Sequence, residues 1–144
     1  MAHSRAHVQR IWAITAPSLW AVIVFFMHVI HVDQQRVSTF KIPHADKIVH
    51  LTFFLVLAFL ISRAQKLFYP NAGRLSVLFA LIICAVYGGV LEWLQSQLEN
   101  NRMSDWKDWL ADVAGACIGV LLARKKILSI FFGHQVGKAH QDFL

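Results

Sequence analysis

Charge is scarce in this chain, and acid is scarcer than base. Of its 144 residues 15% are charged, eight acids against fourteen Lys and Arg, while 57% are hydrophobic. A soluble domain carries about 25% charged residues, so a water-soluble globular fold is excluded. The net charge of +6 would suit nucleic acid. The basic residues, however, flank apolar runs, where they set membrane topology, and no nucleic-acid partner is expected. Cysteine is nearly absent: Cys84 and Cys117 each lie inside an apolar run. That excludes a disulfide framework and reads as two small buried side chains. No H-x-x-E-H or G-x-S-x-G signature occurs, so the common hydrolase motifs are missing too.

What the chain has instead is long apolar blocks, without a 3.6 or 2 period. Its length fits one domain. The first block, residues 11–32, is longer than a signal-peptide core and has no small-residue exit, so it reads as a retained transmembrane helix. Pro17 falls in its first two turns, where a bend is tolerated; His28 and His31 near its end read as interfacial polar residues. Three more spans follow: residues 46–62, with Asp46 as N-cap, residues 75–95, and residues 105–123. Residues 63–74, with Pro70 and Gly73, form a basic turn, and residues 124–144 form a cytoplasmic tail. The expectation is an all-α, polytopic integral membrane protein, a bundle of four transmembrane helices.

Lys and Arg give the orientation. With the N-terminus inside, the inner segments hold nine: Arg5, Arg10, Arg63, Lys66, Arg74, Arg124, Lys125, Lys126 and Lys138. The outer ones hold five: Arg36, Lys41, Lys47, Arg102 and Lys107. The excess places both termini in the cytoplasm. Every acid except Asp142 then falls at the outer side.

The stretch 102–119, RMSDWKDWLADVAGACIG, organises the rest. Asp108, Asp112, Gly115 and Gly119 share one helical face, with Asp112 about one turn inside the apolar zone. An acid at that depth needs a partner. Candidates converge at the same outer face: Asp46, Lys47 and His50 from the second span, Glu92 and Gln95 from the third, and Arg102, Asp105, Lys107 and Asp108 around the fourth.

The motifs DKIVH, EWLQ, and Arg102 followed by Asp108, Asp112 and Gly115 resemble the VanZ-like family of small four-helix membrane proteins, over roughly residues 43–123. Family members often carry Asn where this chain has Asp112. The resemblance implies a role in the bacterial cell envelope; the founding member is linked to teicoplanin resistance.

Each residue type also has a plain structural reading. Asp46 and Asp105 serve as helix caps, with Asp108 favourably placed at the dipole of the fourth span. Ala111, Gly115, Gly119 and Ala123 make a close-packing stripe faced by Gly88 and Gly89. The tryptophans, including Trp93, Trp106 and Trp109, form an interfacial belt. Ion pairs such as Arg102 with Glu92 or Asp108 would fix helix register. Against pure structure stands the imbalance of five acids (Asp46, Glu92, Asp105, Asp108, Asp112) over three bases (Lys47, Arg102, Lys107), which calls for a cation, a proton or a metal.

Three functions follow. The first is binding of a membrane lipid or lipid-linked envelope precursor at an outer polar pocket by Asp46, Lys47, His50, Glu92, Gln95, Arg102, Asp108 and Asp112. The second is an enzyme on a phospholipid or polyprenyl phosphate, with His50, Glu92 or Asp108 catalytic and Arg102 stabilising an anion. The third is a small ion- or proton-coupled transporter, which with four helices would need a homo-oligomer. Binding is favoured over catalysis. Metal-assisted chemistry by His50, Glu92, Asp108 and Asp112 is conceivable but lacks a recognisable ligand spacing, so no metal or cofactor is assigned from the sequence. Phe53 and Phe54 beside His50 fit core packing or an acyl chain.

Overall fold

The computed structural model of the chain describes residues 2–29, 45–98 and 106–124. These form four helices: α1 (Ala2–Val29), α2 (Ala45–Phe68), α3 (Gly73–Leu98) and α4 (Trp106–Arg124). Each contains a long apolar stretch, and backbone polar groups surrounded by apolar side chains and lipid pair within the helix. Three contain stretches long and apolar enough to cross a membrane: His7–His28, Asp46–Phe68 and Gly73–Leu98. The fourth helix is shorter, 19 residues, and carries Lys107, Asp108, Asp112 and Arg124. All-helical architecture and membrane-spanning helices are therefore in place.

The helix starts correct two details of the sequence reading. Asp46 lies inside the first turn of α2 rather than capping it. The segment 63–68 is helical, so the turn is confined to residues 69–72. That turn closes with Ala72 N–H donating to the Tyr69 carbonyl at 3.1 Å, Pro70 supplying the fixed φ of its second position. Gly73 follows at φ +54°, a left-handed conformation that glycine adopts without strain. The Arg124 guanidinium donates to the Gly73 carbonyl, so the end of α4 returns to the start of α3.

α2 is the hub, touching the other three helices, while among the described residues α1 and α4 do not meet. The closest approach is α2 on α4, and two glycines set it. A Cβ at Gly115 would collide with the Leu51 backbone, and one at Gly119 with the Leu55 and Phe59 backbone. Only glycine lets the two parallel helices come this near. Longer-range ties come from side chains on backbone carbonyls: Trp20 Nε1 donates to Phe53 O at 3.0 Å, Tyr87 OH to Ala21 O at 2.7 Å, and Trp109 Nε1 to Ala85 O at 2.9 Å.

The core beneath the site contains Val24, Phe54, Leu57, Ala80, Cys84 and Leu91. Phe54 is wholly buried and stacks obliquely on Tyr87, which settles its part as core packing. Cys84 is buried, but Cys117 is exposed on the outer surface of α4, contrary to the expectation of two buried thiols. Around this small core the large apolar side chains face outward, Leu75, Trp12 and Val86 among them, as a lipid-facing surface requires.

Candidate functional site at the convergence of four helix ends

α2 and α4 begin at the same end of the bundle, where α1 and α3 finish. Because α2 and α4 run parallel at glycine contact, their first turns lie side by side and pair in register. Lys47 Nζ donates to Asp108 Oδ1 at 2.5 Å. One turn further in, His50 Nδ1 meets Asp112 Oδ1 at 3.0 Å. Against an ionised carboxylate the ring nitrogen must be the donor. The spacing of i, i+3 on α2 and i, i+4 on α4 makes these two rungs of one ladder.

α3 supplies the third side. Glu92 Oε1 stands 3.8 Å from His50 Nδ1, too far for a hydrogen bond and close enough for a strong Coulombic contact. Gly88, one turn earlier, makes room for Asp112: a Cβ there would stand 2.7 Å from Asp112 Oδ2. Gly89 borders Trp109, but an added Cβ would stand 3.5 Å from its Nε1, an ordinary contact, so the packing there does not require glycine. The glycine pair thus meets Asp112 and Trp109, not the Gly115 and Gly119 stripe it was expected to face, because that stripe lies on α2.

The polar groups are deeply placed: Asp112 is 0% exposed, Asp108 3%, His50 5% and Glu92 6%. Asp112 Oδ2 has no hydrogen-bond partner among the described residues. On the outer side His50 Nε2 faces Asp46 Oδ1 at 3.9 Å, and Asp46 is about half exposed. His50 therefore sits between a rim carboxylate and two interior ones.

α1 contributes a group that sequence reasoning placed elsewhere. His28 is buried, not interfacial, and its ring packs edge-on against His50 with centroids 4.7 Å apart. Its Nδ1 lies 2.7 Å from the Val24 carbonyl; a carbonyl only accepts, so this nitrogen carries the proton. Gln95 donates to the His28 carbonyl at 3.1 Å, bracing α1 against α3. A polar residue near the end of one span, at the depth of His50 on the next, was the available signal. Arg102, Asp105 and His31 lie outside the described residues, and Lys107 is exposed.

This geometry joins the three motifs of the sequence, DKIVH, EWLQ and the DWLAD run, in one place. The model of the VanZ/LLP1 family matches residues 4–131, nearly the whole chain. The chain belongs to the VanZ/LLP1 family. No curated protein and no solved structure matches it. Family membership makes it a VanZ-like envelope membrane protein.

Chemically the cluster can do three things: accept hydrogen bonds from a ligand's hydroxyl or amine groups, hold a cation between carboxylates, and move a proton at His50. Asp46, His50 and Asp108 make one group of convergent ligating atoms, and His50, Glu92 and Asp112 another. In the first, Asp108 is already engaged by Lys47; the second is the more deeply buried.

Proposed function

We propose that this VanZ/LLP1 protein crosses the bacterial cytoplasmic membrane four times, with both termini in the cytoplasm, and binds the headgroup of an envelope lipid or lipid-linked precursor at its outer face. The observation that carries the reading is that, among the described residues, the buried acidic and imidazole side chains all lie at one end. His28, His50, Glu92, Asp108 and Asp112 all lie where α2 and α4 begin. A bundle needing polar groups only for helix adhesion would spread them along its length.

α4 as the fourth crossing is supported by its rise of about 28 Å and by its exposed Leu110, Ile118, Leu121 and Leu122. Its Asp108 and Asp112 turn inward. The Lys and Arg excess in the segments ending at Arg10, beginning at Arg63 and beginning at Arg124 puts those ends inside. The N-termini of α2 and α4 then point outward, where their dipoles favour an anionic headgroup, aided by Lys47, Lys107 and Arg102. The interior carboxylates take its hydroxyl or amine donors. The likeness to VanZ extends the reading to teicoplanin susceptibility of the host cell.

Native mass spectrometry from mild detergent tests it. Wild type carries a phospholipid or polyprenyl phosphate, while Lys47→Ala and Arg102→Ala, helical by circular dichroism, release it. Wild type that stays bare after incubation with envelope lipid extract would sink the reading.

One observation favours a second reading, an enzyme: the Asp112 bond to His50 Nδ1 fixes the ring so that Nε2, on the rim side, can act as a general base. In that case products accumulate from the bound lipid, and Asp112→Asn stops their formation without releasing the lipid.

A further inference from the structure

We propose that His50, Glu92 and Asp112 hold a divalent transition-metal ion, zinc in class, at the junction of α2, α3 and α4. The three ligating atoms lie within 4.8 Å of one another. Zinc bonds to imidazole nitrogen and carboxylate oxygen are about 2.0–2.2 Å long, so ligand atoms around a tetrahedral ion stand about 3.4 Å apart. The edges at His50 Nδ1, 3.0 Å to Asp112 Oδ1 and 3.8 Å to Glu92 Oε1, bracket that value. One imidazole with two carboxylates is a mixed donor set of the kind borderline divalent ions accept.

Asp112 supplies an independent pointer. It is completely buried, and its Oδ2 has no hydrogen-bond partner among the described residues. That oxygen packs against residue 88, where the missing side chain of glycine gives it room. A buried ionised carboxylate with an oxygen left over is costly, and a divalent ion engaging the carboxylate is what removes the cost. The outer side of His50 fits as well. With Nδ1 on the metal, Nε2–H faces Asp46, the carboxylate–histidine–metal arrangement that orients metal-bound imidazoles. The alternative grouping around Asp46 and Asp108 is weaker, because the Lys47 ammonium already occupies Asp108.

The ion also answers a conflict within the headgroup reading, on which only this step rests. Lys47 and Asp108 neutralise each other, and the carboxylates of Asp46, Glu92 and Asp112 around His50 bring negative charge that would repel a phosphate. Three protein ligands leave one position open, and a phosphate oxygen bound there turns that repulsion into attraction.

The test uses the full chain, carried on a tag without histidine, stripped with chelator in mild detergent and titrated calorimetrically with zinc. Wild type takes up about one ion per chain, and cobalt gives the visible absorption of a four-coordinate site. His50→Gln and Glu92→Gln each weaken binding by about 100-fold or more, and Asp46→Asn by about 10-fold. Replacing His3 and His7 by alanine changes nothing. If Glu92→Gln does not fold, Asp112→Asn, which preserves shape and the His50 contact, still weakens binding by about 10-fold. Wild type binding zinc no better than the His50→Gln/Glu92→Gln double variant, or affinity that follows His3 and His7, overturns the proposal. Zinc bound by wild type that carries no lipid upholds the metal site while refuting the headgroup reading. Lipid retained by protein that binds no zinc does the reverse.

Discussion

Gly115→Ala is the substitution from which most follows. The added methyl would overlap the Leu51 carbonyl oxygen and stand 2.9 and 3.0 Å from Leu51 C and Cα. These are backbone atoms in the middle of a helix, so no side-chain rotation relieves them. Ordinary carbon contacts begin near 3.5 Å, so α2 and α4 must part by about 1 Å. The His50 to Asp112 bond, 3.0 Å in the native chain, would then open to about 4 Å, beyond hydrogen-bond range. Overpacking costs about 1–3 kcal/mol, and a buried carboxylate deprived of its donor costs about 1–3 kcal/mol more. A total of about 2–6 kcal/mol is a large part of the about 5–15 kcal/mol that holds a domain together.

The thiols provide the assay. In a Cys117→Ser background the buried Cys84 reacts with a maleimide dye only on unfolding, so the dye signal on heating reads stability. Gly115→Ala should melt well below its parent. Gly88→Ala should melt closer to it, because the added Cβ meets the movable tip of Asp112 at 2.7 Å. Gly73→Ala, with nothing within 4 Å but φ at +54°, should cost about 1 kcal/mol. Gly115→Ala melting with its parent, or no lower than Gly73→Ala, would refute the close-contact argument.

Lys47→Met leaves the nearly buried Asp108 carboxylate without its ammonium partner and should lower the same melting curve by about 1–3 kcal/mol. The Lys47→Met/Asp108→Leu double variant should recover most of the loss, and no recovery would mean the pair carries no net energy. Trp109→Phe and Tyr87→Phe each remove one donor to a helix carbonyl and should cost about 1 kcal/mol; effects of several kcal/mol would mean these ties do more than join helices. For topology, Ser38→Cys in a background without the native cysteines should label in intact cells with a membrane-impermeant maleimide. Labelling only after permeabilisation inverts the orientation.

The helices were legible because a backbone surrounded by lipid has little alternative to helix, so long apolar blocks suffice. Which apolar face turns inward was not. Lipid is as apolar as a core, so Cys84 inside and Cys117 outside look alike in sequence. The glycine stripe of α4 could be read as a packing surface, since small residues at four-residue spacing have few other uses. That it lies on the carbonyls of Leu51 and Leu55 required the fold. The residues brought together around His50 could be named from their shared depth, while their pairing could not: Lys47 holds Asp108, and Gln95 holds the His28 backbone rather than joining the carboxylates. His28 was misplaced because one histidine near the end of a span looks the same whether it faces headgroups or another ring. A spacing rule for metal ligands needs two ligands on one element, and His50, Glu92 and Asp112 come one from each of three helices.

Site-directed photocrosslinking tests whether the His50 end of this VanZ/LLP1 bundle selects a lipid. A benzophenone amino acid at position 46, on the rim beside His50, is compared with one at Tyr69, exposed at the opposite end. After irradiation in native membranes the crosslinked lipids are identified by mass. Position 46 should capture one headgroup class far above its share of the membrane, while position 69 samples the bulk. The same lipid mixture at both positions would contradict that selection.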